Sequence, residues 1–156
     1  MKLSKAICLF AAIILCSATA MAQNSASVVK VSAANVTVKK GGAGTATVTL
    51  DIQGGYHINS NRPSETYLIA TALKLEKSAG LTLGGVIYPK AKMQKFSFSE
   101  KPLSVFEGRT VLKFTVRAGA AAASQTVKGK LTIQACNNEQ CLRPQTVNVS
   151  IPVEVN

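Results

Sequence analysis

The stretch TVKGKLTIQACNNEQCLRPQTVNVSIPVEV, residues 126–155, alternates apolar and polar side chains on both flanks of a short polar centre. Val127, Leu131, Ile133 and Ala135 fall on one parity before the centre, and Val147, Val149, Ile151 and Val153 on one parity after it. Period two is the mark of a half-buried strand, so the stretch reads as two long strands joined by a hairpin. The strand LTIQA is expected to end at Cys136, with Asn137-Asn138-Glu139-Gln140 as a four-residue loop and Cys141 opening the strand that continues through TVNVSIPVEV.

The same alternation recurs upstream. VVKVSA at 28–33, TATVTLDI at 45–52, LKLEK at 73–77, LTLGGVIY at 81–88, LSVFEG at 103–108 and VLKFTVRA at 111–118 are short β-branched or apolar runs, separated by Gly, Pro, Asn or Ser. The segment SETYLIATALKLE, 64–76, has some helical character, but its β-branched content and the flanking Pro63 and Gly80 favour turn and strand. Seven or eight strands in one domain of this size predict an all-β fold, an immunoglobulin-like antiparallel β-sandwich rather than a closed barrel.

The chain opens with MKLSKAICLFAAIILCSATAMAQ: two lysines, an apolar run from Ala6 to Cys16, and small residues at Ala20 and Ala22. This is the pattern of a secretory signal peptide, residues 1–22, cleaved after Ala22 to leave a single domain over 23–156. Ile13-Ile14-Leu15 ahead of Cys16 lacks the small residue of a lipoprotein cleavage site. Cleavage removes Cys8 and Cys16, leaving Cys136 and Cys141 in an exported, oxidising setting, periplasmic or secreted. It also removes Lys2 and Lys5 from 18 basic residues against 7 acidic ones, so the mature charge is about +9. The remaining cations are scattered and no nucleic-acid motif accompanies them, which makes them a solvated surface and excludes nucleic acid as the expected partner.

Cys136 and Cys141 would face each other across the hairpin mouth. Opposed residues of a non-hydrogen-bonded pair have Cα atoms about 4.5 Å apart, near the lower limit for a disulfide, so a bond is feasible with some strain, and strain eases reduction. The closed loop is worth only about 2 kcal/mol in chain entropy, the small end of the range. A bond between distant strands would stabilise more, and the Trp that packs on an immunoglobulin inter-sheet disulfide is missing, since the chain has none. Spacing alone leaves both a passive staple and a redox pair open. Nothing resembles a Ser-His-Asp arrangement, a phosphate-cradling loop or a hydrolytic carboxylate pair.

Three segments, GYHINSNRPSETYLIATAL at 55–73, VIYPKAKMQKFSFSEKPLSVFEG at 86–108 and KLTIQACNNEQCLRPQTVNVSIPV at 130–153, taken together resemble the N-terminal periplasmic domain of the thiol:disulfide interchange protein DsbD. The most specific part is the last, a strand ending in Gln-Ala-Cys, a short polar loop and Cys-Leu-x-Pro. The resemblance implies an immunoglobulin-like sandwich whose two cysteines shuttle between dithiol and disulfide, a protein-disulfide reductase or interchange component without a cofactor. Its implied partners are a thioredoxin-like domain or membrane thiol reductase as electron donor and oxidised periplasmic thiol proteins as acceptors. Cys141 matches the cysteine that forms mixed disulfides, and Cys136 the one that resolves them. Full-length members fuse this domain to a membrane electron conduit and a thioredoxin-like domain. Neither is expected within 156 residues, so the donor is expected to be a separate chain.

The resemblance also implies a loop with an aromatic cap over the cysteines, here MQKFSFSEKP at 93–102, with Phe96 or Phe98 as the cap. The FxF alternation equally lets one of the two simply face the core. Family members carry acidic residues just before the cap, where this chain has Gln94 and Lys95, and a nearby cation would favour the thiolate. Tyr56 and His57 belong to an aromatic-rich segment that the family places at the active-site surface. His57, the only histidine, could pack beside the Gly54-Gly55 turn, act as base or proton relay for a thiol, or join the cysteines and Met93 in a metal site. Glu139 reads as a solvated loop tip. The rival to interchange is a non-enzymatic sandwich that binds a partner through a strand edge and keeps the cysteines as a structural hairpin disulfide.

Overall fold

The computed structural model describes residues 23–156, so the expected signal peptide and its cleavage point lie outside the described residues. After a single 3-10 turn at Ser25–Ser27 come twelve strands. These are β1 (Val29–Ala33), β2 (Val36–Val38), β3 (Ala43–Ile52), β4 (His57–Asn59), β5 (Ala72–Leu75), β6 (Leu81–Leu83), β7 (Lys92–Gln94), β8 (Leu103–Phe106), β9 (Arg109–Ala118), β10 (Gln125–Ile133), β11 (Ala135–Cys136) and β12 (Gln145–Val155). Two sheets, ordered β1-β3-β9-β6 and β2-β12-β10-β5, form the sandwich, and a third, β11-β4-β8-β7, carries the cysteine strand.

The sandwich follows from the alternation. Ala46, Val48, Leu50 and Ile52 of β3 and Leu112, Phe114, Val116 and Ala118 of β9 face Val127, Leu131 and Ile133 of β10 and Val149, Ile151 and Val153 of β12 in one buried apolar cluster. Fully burying a side chain of this size contributes roughly 1.5–3 kcal/mol, so this cluster holds the two sheets face to face. Lysines and arginines take the outward parity, and every one among the described residues is exposed, as a solvated basic surface requires.

The fold is the expected all-β sandwich, antiparallel except that β2 runs parallel to β12. Two expectations shift in detail. LTLGGVIY is not one strand: β6 stops at Leu83, and Ile87 regains β9 only through an isolated bridge to Lys113. The Gly84 amide still donates to the Thr115 carbonyl at 2.8 Å, and a Cβ there would lie 3.3 Å from the Cβ of Thr115, a close approach of the two chains that favours glycine. SETYLIATALKLE is turn followed by strand β5, as expected. Finally, β10 does not run through to Cys136. The β10–β12 ladder ends at Ile133↔Gln145, and residues 134–144 depart from it to carry the cysteines into the third sheet.

Candidate active site

The break at Gln134 has a visible cause. Its side-chain oxygen accepts from Asn59 Nδ2 at 3.0 Å and from the Ile69 amide at 2.9 Å, tying β4 and the 64–71 turn to this point of the chain. Beyond it, β11 pairs with β4 so that Ala135 opposes Ile58 and Cys136 opposes His57. Directly opposed residues share a face. The third sheet therefore has two working sides. Ala135, Ile58 and Phe106 point into the main core. Cys136, His57 and Val105 lie on the other face, over a second apolar cluster of Leu68, Phe96, Leu103 and Val105.

Cys136 and Cys141 are joined by a disulfide with Cα atoms 3.9 Å apart, shorter than the opposed-strand expectation, and they form an isolated antiparallel bridge. Cys141 is not the start of β12, which begins four residues later. The loop is built as expected from Asn137 to Gln140. The Asn137 amide donates to the Gln140 carbonyl at 2.9 Å, and its side-chain oxygen accepts from the amides of Glu139 and Gln140. Asn suits this position because its short side chain can satisfy backbone donors two or three residues on. Leu142 N–H to Ala135 O at 2.7 Å closes the far side of the cysteine bridge. Glu139 is exposed at the tip. Cys136 is fully buried, whereas Cys141 is half-buried against the second cluster.

Over this cluster lies the loop 95–100. His57 stacks on Phe96 with ring centroids 3.9 Å apart, and Phe96 stacks on Phe98 at 5.5 Å. Phe96 is buried and Phe98 half-buried; both pack in the cluster that also holds Cys141. The Ser97 hydroxyl donates to the Asn138 carbonyl, fastening this loop to the cysteine loop. Lys95 bonds the Glu100 carbonyl within its own loop. A surface groove of about 260 Å³ separates Phe98 from the exposed Tyr67.

His57 is 2 % exposed and its Nε2 has no hydrogen-bond partner. Burial lowers its pKa from 6.5 to about 4, with Glu107 pulling weakly the other way. Glu107 follows Phe106, the register partner of Ile58, so it comes level with His57; its carboxylate also meets Lys92 at 3.3 Å. Tyr56 takes the opposite parity, packs against the main core, and donates to Gln23 Oε1 at 3.2 Å. Met93 opposes Ser104 and is 63 % exposed, on the face away from His57. Among the described residues, no three His, Cys, Asp or Glu side chains gather as a metal site.

Sequence reasoning missed three polar residues that position the cysteines: Asn59, Gln134 and Ser25. The buried Ser25 hydroxyl accepts from the Ala135 amide at 2.9 Å and donates to the Arg143 carbonyl at 2.8 Å, so one side chain clasps both sides of the cysteine hairpin. A groove of about 580 Å³ between the free edges of β5 and β6 is lined by Leu73, Leu75, Leu81, Leu83 and Val86 and holds no cysteine or histidine.

The chain is thus an all-β, immunoglobulin-like sandwich that carries a disulfide in a side sheet beneath an aromatic loop. The family described as thiol:disulfide interchange protein DsbD, N-terminal, matches residues 25–152, and the chain belongs to it. Among solved structures, the reduced DsbD N-terminal domain of Neisseria meningitidis is similar at 18 % identity, over 80 % of this chain and 83 % of that one, with a TM-score of 0.50. The N-terminal periplasmic domain of ScsB from Proteus mirabilis is similar at 13 % identity and a TM-score of 0.52, over 81 % of this chain and 45 % of that one. At such identities the likeness is one of fold. No curated protein matches the chain in sequence. Among the described residues, no helix is long and apolar enough to cross a membrane.

Proposed function

We propose that Cys136 and Cys141 work as a dithiol–disulfide couple in the periplasm, passing electrons from a thioredoxin-like donor to oxidised exported proteins. The observation that carries this reading is the placement of the pair. The bond does not join the two sheets of the sandwich; it closes a six-residue loop on a side sheet, under stacked aromatic rings. A staple there adds little, because the closed loop is short.

The difference in burial supports a division of roles. Cys141, half-buried at the edge of the second cluster, is the sulfur that exchanges with partners; the fully buried Cys136 resolves the mixed disulfide by closing the intramolecular bond. Phe96 and Phe98 shield the bond from small thiols until the loop 95–100 opens, so loop opening acts as a gate. No cofactor is needed, because exchange moves electrons with the sulfur–sulfur bond itself.

The test is the reduction potential of the Cys136–Cys141 bond in the mature protein, equilibrated against glutathione and dithiothreitol buffers. A value between about −180 and −270 mV, where exchange proteins work, supports the proposal; a value well below about −300 mV makes the bond a staple and overturns it.

A further inference from the structure

Two buried polar atoms in the site lack a hydrogen-bond partner while the cysteines are joined, His57 Nε2 and Asn59 Oδ1, and of the two residues only His57 is directly opposed to a cysteine. His57 Nε2 is enclosed between the third sheet and the ring of Phe96, in a chain that pairs nearly all of its other buried polar side-chain atoms among the described residues. Leaving such a group unpaired is unfavourable, and native structures rarely do so without a reason. The strand register supplies one: His57 and Cys136 are directly opposed across β4 and β11, which sets their Cβ atoms side by side on one face, about 5 Å apart. Reduction turns the Cys136 sulfur from a bonded atom with no proton into a thiol that can donate one.

Resting on the interchange reading above, we infer that His57 Nε2 is the hydrogen-bond and proton acceptor for Cys136, unpaired in the oxidised protein and satisfied by the Cys136 thiol in the reduced one. The groups facing this imidazole are few. Cys136 opposes it from β11, Phe96 covers it from the loop 95–100, and Glu107, itself paired with Lys92, comes level with it beyond the end of β8. Burial keeps the ring neutral at ordinary pH, which leaves Nε2 free to accept.

In the reaction, the Cys141 thiolate attacks one sulfur of a partner disulfide. That bond breaks, and the second partner sulfur leaves as a thiolate that takes its proton from solvent. Cys141 is now joined to the partner, and Cys136 still carries its proton. As that proton moves to His57 Nε2, Cys136 Sγ attacks Cys141 Sγ, the Cys136–Cys141 bond forms and the Cys141–partner bond breaks. The proton passes from Nε2 to the departing partner sulfur. Two thiols of this chain have become one disulfide, the partner disulfide has become two thiols, and His57 ends neutral. Because the buried imidazole is a weak base, its help comes from the adjacent forming thiolate, which favours the imidazolium while the proton is in transit.

The test uses the wild-type protein first. Since the chain has one histidine, its imidazole nitrogen resonances need no substitution to assign. The expected result is an unprotonated Nε2 that moves to a hydrogen-bonded shift when the disulfide is reduced; a protonated Nε2, or one indifferent to redox state, overturns the inference. His57→Phe then keeps a ring on Phe96 but removes the acceptor. It is expected to shift equilibrium with dithiothreitol about tenfold toward the disulfide, about 30 mV for two electrons, and to slow release of the mixed disulfide at least tenfold. His57→Gln is expected to recover much of the equilibrium through its amide oxygen but not the rate of release. A wild-type bond that glutathione cannot open counts against interchange whatever His57 does. Equal equilibria and release rates for wild type and His57→Phe, with a bond that glutathione does open, overturn the role of His57 alone.

Discussion

The imidazole of His57 lies flat on the ring of Phe96, centroids 3.9 Å apart and planes 19° from parallel, so the strand opposite Cys136 and the loop covering the cysteines meet through one stack. The stack ties protonation to packing. The folded protein holds His57 down to about 4 by burial, whereas the unfolded chain titrates near 6.5. Between those values the unfolded state binds more protons, so stability is complete above pH 6.5 and is lost as pH falls toward 4, by up to about 3 kcal/mol. Urea unfolding at pH 7 and pH 4.5 should show this loss in wild type and a smaller one in His57→Phe. Equal losses would sink the assignment. Glu107→Gln removes the one attraction that raises the pKa and should move the histidine titration lower still.

The two phenylalanines should part company on substitution. Phe96→Ala empties a buried site among Leu68, Leu103 and Val105, a change that costs about 3–5 kcal/mol in most cores, and it removes the support of His57. Phe98→Ala loses a half-buried ring and should cost about 1 kcal/mol. If the loop is a gate, both variants react faster with small thiol reagents in the native state. Unchanged rates in both would leave the rings as core packing and nothing more.

Much of the sandwich was legible because its strands are long enough to show their period. Val48 and Leu50, or Ile151 and Val153, repeat the inward parity often enough to declare a buried face. The third sheet was not: β4, β7 and β11 are only two or three residues long, too short for any alternation to register. That is why Cys136 and Cys141 could be paired from sequence while the partner across from Cys136, His57, could not. Their adjacency rests on a ladder between residues far apart in the chain. Gln134 sat inside an apparent strand, and its role as the point of departure depends on Asn59 and Ile69 arriving from elsewhere.

Ser25 lies close to the expected cleavage point, yet its hydroxyl is buried between β11 and Arg143. Ser25→Ala leaves the Ala135 amide without its acceptor, while the Arg143 carbonyl keeps only the Ser25 amide as donor. The expected cost is about 1–3 kcal/mol in chemical unfolding, with faster amide exchange at Ala135. Unaltered stability and exchange would mean that the hairpin holds its shape without the clasp.

The division of labour between the sulfurs is open to direct trapping. A mixed disulfide persists when the resolving sulfur is missing, because nothing remains to close the intramolecular bond. Cys136→Ala leaves the half-buried Cys141 and should accumulate a covalent complex with a thioredoxin-like protein. Cys141→Ala leaves only a sulfur that is fully buried and should trap far less. Non-reducing electrophoresis of both variants, each mixed with the same oxidised partner, reads the outcome. Complex from Cys141→Ala alone would reverse the roles, and with them the proton path through His57, since the acceptor would then stand beside the attacking sulfur instead of the resolving one.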